Sequence, residues 1–252
     1  MASPGASLEV LVDGSGPAIV FLPSSQRDSL HDGAFARQLA AAGYTVLRPQ
    51  PRGMAGSHGP LDGISLYDLA DDVAAVIDRL AGGRAALLGH AFGHYIARVT
   101  DLRHPDKVRA VVVLGAAARV FPPGLTEALD CAADPLQPPA LRLAALRKAM
   151  FAPDSDASVW LSGWYPQLRA AYRRVGSVPD KSVWWPVAHA PLLDLQAAHD
   201  PWRPPQSRNE LRDVLGDRVT VQVIEGASHA LIPEQPGRIV AAVAQWLDAQ
   251  PA

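Results

Sequence analysis

Few residues in this chain of 252 combine a reactive side chain with a position that would let it act. The most informative stretch is Ala86-Leu87-Leu88-Gly89-His90-Ala91-Phe92-Gly93-His94, which reads as a strand, a sharp turn and then a helix. With 20 glycines, a Gly-x-x-x-Gly spacing arises about once or twice by chance, so the strand–turn–helix setting carries the information. Two histidines, His90 and His94, flank an alanine there. Later in the chain, Ala197-Ala198-His199-Asp200 and Gly226-Ala227-Ser228-His229 each follow a strand pattern. A histidine with an aspartate partner is a general base and acid near neutral pH, the carboxylate fixing the tautomer and stabilising the imidazolium. Ala91 has no hydroxyl, thiol or carboxylate, so it can form no covalent intermediate.

Those residues need a frame to bring them together. Leu8–Val12 and Ala18–Leu22 read as neighbouring strands joined by the turn Asp13-Gly14-Ser15-Gly16-Pro17. Helices are expected over 34–42, 66–80 and 92–102, with strands at 44–47, 85–88 and 108–114. In the second of these helices Leu69, Val73, Val76, Ile77 and Leu80 share one face. The run Val111-Val112-Val113-Leu114 suits a central strand. This alternation predicts an α/β fold, a mostly parallel sheet with helices on both faces. Between residues 121 and 187 the rhythm breaks. Proline is frequent, Trp160, Trp164, Trp184 and Trp185 cluster there, and helical patterns survive at 140–151 and 158–172. That segment is expected to be a helical insertion, leaving 1–120 and 188–252 as the core. The order then resumes with a strand at 191–195, a helix at 206–215, a strand at 219–224 and a closing helix at 236–249.

Composition narrows the function classes. Hydrophobic residues at 48% and charged residues at 19% indicate a folded chain with a sizeable core. A formal charge of −2 argues against an electrostatic nucleic-acid partner. No apolar run is long enough to span a membrane, and residues 1–10 lack the charge and apolar stretch of a signal peptide. A single cysteine, Cys131, allows no intrachain disulfide and no cysteine-built zinc cluster. The expectation is a soluble, cytoplasmic protein with no membrane partner.

Taken together, the motifs resemble the α/β-hydrolase fold superfamily over nearly the whole chain. Gly89-His90-Ala91-Phe92-Gly93 is similar to its nucleophile elbow, with Ala91 at the nucleophile position. Phe21-Leu22-Pro23-Ser24-Ser25 occupies the loop where the family usually has His-Gly and an oxyanion-hole amide. Pro51-Arg52-Gly53-Met54-Ala55-Gly56-Ser57 resembles the family's R-G-x-G-x-S loop with one extra residue. Asp200 falls at the acid position, although Ala197 stands where many relatives have glycine, and His229 matches the G-x-x-H of the catalytic histidine. The order elbow, acid, histidine is that of the fold.

The resemblance implies a strained backbone at residue 91, with small neighbours on each side. It implies oxyanion donors at the Phe92 amide and at Ser25, with Ser24 the alternative, and a supporting role for His90. His94 is either a second base or a packing histidine, the latter expected. The Ser24 hydroxyl and Trp164, Trp185 and Trp202 are candidate substrate contacts, in a cap formed by the insertion. His31, His58 and His189 have no evident partner. Cys131 reads as a bystander. Neither a metal site nor a cofactor is expected.

Ala91 departs from the family, and two origins fit it: a deliberate serine-to-alanine change that traps substrate, or a native alanine. The first reading is hydrolysis of a small, largely apolar ester, lactone or related carbonyl compound. A cofactor-independent lyase, isomerase, cyclase or dioxygenase-like enzyme using His229–Asp200 as base is the alternative, and a small-molecule binding protein on a dead hydrolase is the third. The partner in each is a small molecule, and monomer and homodimer both stay open.

Overall fold

The computed structural model describes residues 1–3 and 5–250; Pro4 and the last two residues of the expected core lie outside them. Two short strands, β1 (Ala2–Ser3) and β2 (Ala6–Ser7), pair with each other. The main sheet holds β3 (Val10–Asp13), β4 (Ala18–Leu22), β5 (Thr45–Pro49), β6 (Ala85–His90), β7 (Val108–Leu114), β8 (Leu192–Ala197) and β9 (Val219–Ile224). Their order is β3-β5-β4-β6-β7-β8-β9, with β3 antiparallel to β5 and every other pair parallel.

The sheet is buried on both faces because its strands alternate between two apolar layers. Val20, Leu22, Leu87, Val111 and Val113 belong to one layer. Ile19, Phe21, Leu88, Val112 and Leu114 belong to the other. Helices α2 (Leu66–Leu80) and α3 (Gly93–Arg103) cover the first, α1 (Gly33–Ala41) and α10 (Pro236–Asp248) the second. Ser65 starts α2 by accepting from the Tyr67 amide, while Asp68 reaches back to the Ser65 amide.

Three expectations about the chain's course are corrected. The first two predicted strands are not neighbours, since β5 lies between β3 and β4. β4 is almost wholly buried and takes parallel partners on both sides, whereas β3 is half-exposed and suits an edge. The helix expected over 158–172 is replaced by 3₁₀ turns at Ala157–Trp160 and Pro166–Leu168, with α6 running only from Arg169 to Gly176. Gly163 at φ +80° and Pro166, which lacks an amide N–H, interrupt the pattern. The helix expected at 206–215 likewise shortens to α8 (Glu210–Leu215) after a turn at Pro205–Ser207.

Between β7 and β8 the described chain adds α4 (Leu125–Ala133), α5 (Pro139–Ala149), α6 and α7 (Lys181–Trp184). α4, α5 and the Ala157–Trp160 turn share an apolar cluster with Trp202 and Ala230 of the core. A short α9 (Leu231–Glu234) precedes α10. No helix among the described residues is long and apolar enough to cross a membrane.

Candidate active site

The turn between β6 and α3 is set by close backbone packing. A Cβ at Gly93 would fall 2.1 Å from the Leu22 carbonyl oxygen, and one at Gly89 2.5 Å from the Gly93 carbonyl. Only hydrogen fits at either position. The space so gained bends the chain enough to drive Ala91 to φ +46°, a conformation that costs a non-glycine residue of order 1–3 kcal/mol. The Ala91 amide donates to the Leu114 carbonyl at 3.0 Å, and its own carbonyl accepts from the His94 amide and from His94 Nδ1.

His229 and Asp200 meet across the ends of β8 and β9. Asp200 Oδ2 lies 2.9 Å from His229 Nδ1, and Asp200 Oδ1 accepts the Trp202 amide at 2.8 Å. Both side chains are buried. Because Nδ1 is the atom facing the carboxylate, Nε2 is the nitrogen left for chemistry. The Trp202 ring lies 5.3 Å from the His229 ring, and the His90 Nε2–H donates to the His229 carbonyl at 2.8 Å. Burial, reinforced by the nearby His229, lowers the His90 pKa to about 3, so this imidazole stays a neutral hydrogen-bond donor.

Ala91 and His229 open onto one cavity of about 280 Å³. Ser24, Ser25, Ala91, Phe92 and His229 form part of its lining, so it joins the elbow, the loop after β4 and the histidine. Within the described chain, the amides of Phe92 and Ser25 donate to no acceptor. Apolar walls come from Ala117, Phe121, Leu129, Met150 and Trp202, and Arg169 and Arg173 of α6 line it as well. A histidine, a buried aspartate and two free amides around a small cavity can shuttle a proton and hold a developing oxyanion.

Residues 26–142 match the family described as alpha/beta hydrolase fold. Epoxide hydrolase A of Mycobacterium tuberculosis is 25% identical over 83% of this chain and 83% of its own. The 2-(acetamidomethylene)succinate hydrolase of Mesorhizobium japonicum is 34% identical over 49% of this chain and 43% of its own. An esterase from Exiguobacterium antarcticum superposes at a TM-score of 0.80 and 20% identity, over 98% of this chain and 97% of that one. The chain has the α/β-hydrolase fold. Sequence relatives aligned here are named as hydrolases.

Within this α/β-hydrolase fold, not every expected contact reaches the cavity. Ser24, Ser25, Ala91, Phe92, Trp202 and His229 line it, and Asp200 sits behind His229. Trp164 and Trp185 are absent from its lining. Trp164 faces the Arg27 guanidinium, which stacks on it and on Trp160 at 4.8 and 4.5 Å. Trp185 is buried beside α3, under Lys181 at 4.3 Å and Arg98 at 5.4 Å. His94 is fully buried, and its pKa is held well below the ordinary value by burial and by the charge of Lys181. Cys131 is a half-buried free thiol. Gln26, Tyr172, Arg169 and Arg173 line the cavity without having been singled out in the sequence. The one available signal was the four-residue spacing of the two arginines, hidden by the misplaced helix boundary.

Proposed function

We propose that this chain is an enzyme that hydrolyses a small carbonyl compound, an ester or lactone, by general-base activation of water. The observation that carries this reading is the 2.9 Å contact between His229 Nδ1 and Asp200 Oδ2 at a cavity shared with Ala91. With Nδ1–H given to Asp200, His229 Nε2 accepts a proton from a water molecule. The resulting hydroxide attacks the substrate carbonyl, in the space that the short Ala91 side chain leaves. The Phe92 and Ser25 amides hold the oxyanion, and the protonated His229 returns its proton to the departing alkoxide as the tetrahedral intermediate collapses. No acyl-enzyme forms, because residue 91 offers no nucleophile.

In this reading, residues 121–187 act as a cap that supplies Phe121, Leu129 and Met150 to the cavity wall. A small molecule is the one partner required, and a cytoplasmic setting keeps Cys131 reduced. Ala91 also favours a second reading, in which His229 removes a proton from carbon beside the carbonyl, in a lyase or isomerase reaction.

Turnover of a panel of short esters and lactones in ¹⁸O-water tests both. The first reading expects one solvent ¹⁸O in the acid product, His229-dependent turnover, and no mass adduct on the protein. In a parallel run in deuterium oxide, solvent deuterium appearing at carbon, with no ¹⁸O taken up in the first run, would replace it by the second. If no substrate turns over and ligand binding is indifferent to His229→Ala, the scaffold is a binding protein.

A further inference from the structure

The permanently charged side chains that line the cavity are both cations, Arg169 and Arg173. Its lining includes His229 and His94 near the elbow and Arg169 and Arg173 on α6, but no aspartate or glutamate. Arg169 and Arg173 are one helical turn apart, so they present their guanidinium groups side by side. Asp130 of α4 stands close to both: its Oδ1 accepts from Arg173 Nη2 at 2.7 Å, and its Oδ2 lies 3.5 Å from Arg169 Nη1. Asp134, a second carboxylate whose charge reaches Arg169, is engaged by the Leu136 amide and the Gln137 side chain, so among the described residues Asp130 alone makes close contact with both guanidinium groups. The Arg169 guanidinium donates no hydrogen bond among the described residues, and both arginines are roughly half-exposed, so N–H groups remain for a ligand. Apolar side chains lead from one end to the other: Trp202 packs on His229, Phe121 packs on Trp202, and Leu129, which also lines the cavity, precedes the Asp130 that meets both arginines.

Building on the proposed hydrolysis, we infer that the substrate carries a carboxylate, held by Arg169 and Arg173, at some distance from the carbonyl that reacts. The three zones of the cavity match such a molecule. The carbonyl sits at the Phe92 and Ser25 amides, a short hydrocarbon stretch lies along the apolar wall, and the anion meets a planar donor fork. A wholly apolar ester would leave the two arginines no ligand group to bind. The substrate class is therefore a small monoacid bearing a second, reactive carbonyl.

Binding separates this inference from the catalytic one. The probes are 4-phenylbutyrate and its neutral amide, titrated into the full chain by calorimetry, with Trp202 fluorescence as a second readout. The acid is expected to bind about tenfold more tightly than the amide, the range of a charge-assisted hydrogen bond at a partly exposed site. Arg169→Gln with Arg173→Gln should erase that preference while leaving the amide's affinity unchanged. Asp130→Asn removes the competing carboxylate and should strengthen acid binding. His229→Ala should keep the preference, so loss of turnover and loss of anion recognition are read independently. Equal binding of acid and amide, binding of neither, or a preference that survives the double arginine variant overturns the inference.

Discussion

Asp200 serves two partners at once, with Oδ2 2.9 Å from His229 Nδ1 and Oδ1 accepting the Trp202 amide at 2.8 Å. The second bond holds the carboxylate in the plane it needs for the first. It also joins the acid to the residue whose ring packs on the histidine. Orientation of His229 is thus built into the loop after β8.

Removal of the base should cost far more than removal of its orienter. His229→Ala is expected to lower kcat by about 10²–10⁴-fold, the usual contribution of a positioned general base. Asp200→Asn leaves the imidazole in place but offers an amide to Nδ1, so its loss should be smaller. Steady-state kinetics on the best ester or lactone, with circular dichroism to confirm folding, decides the matter. Near-full activity in His229→Ala would move the base elsewhere, with His94 the next candidate.

Ala91→Ser places a hydroxyl beside His229 in a turn already bent for it. The variant should react with a fluorophosphonate probe to give a single adduct in the peptide containing residues 89–93, whereas the Ala91 parent should not. Hydrolysis of short p-nitrophenyl esters should rise about a hundredfold or more, since a nucleophile acting with its base contributes orders of magnitude. A serine variant as inert as the parent, by both mass and rate, counts against an oxyanion site at Phe92 and Ser25.

Gly93→Ala tests the elbow through stability alone. The added methyl would meet the Leu22 carbonyl oxygen at 2.1 Å, and both partners are backbone. Neither can swing aside, so β4 and α3 must separate. A loss of about 3 kcal/mol or more is expected in urea unfolding. A loss under 1 kcal/mol would mean that this close approach is relaxed in solution.

The sheet and the dyad were legible in the sequence because each rests on a local pattern. Val108–Leu114 and Val219–Ile224 are bounded as their apolar runs predict, and His229 and Asp200 stand at strand ends. Pairing order was not legible at the edge, because Leu8–Val12 and Ala18–Leu22 are close in sequence and only their burial separates an edge from an interior strand. The segment over 121–187 was read least well. Its aromatic residues are equally suited to a cavity wall and to a core, and Trp164 packs against the segment's own small cluster while Trp185 joins the main apolar layer beneath α2 and α3. What set the outcome was the partner each ring met, Arg98 and Lys181 for one and Arg27 for the other, and such pairings are not written in local spacing.

A final prediction concerns acid stability. His90 is buried, donates to the His229 carbonyl, and has a pKa lowered from 6.5 to about 3. In the unfolded chain the same side chain takes up a proton below about pH 6.5. Between pH 6.5 and 3 the unfolded state therefore binds one more proton than the native state at this residue, and stability falls as pH falls. The slope is up to about 1.4 kcal/mol per pH unit. Asp194 and Asp32 act in the opposite sense. Burial raises them to about 6 and about 7, so in that range the native state holds their protons more firmly than the unfolded chain does. The wild-type curve sums these effects, and the difference between wild type and His90→Gln isolates the histidine. Glutamine keeps an N–H donor for the His229 carbonyl but never takes up a proton. Relative to wild type, the variant should gain stability steadily as pH is lowered from 7.5 to 5. Urea unfolding at pH 7.5, 6.5, 5.5 and 5.0 measures it, and a difference independent of pH would mean that His90 is not held neutral by burial.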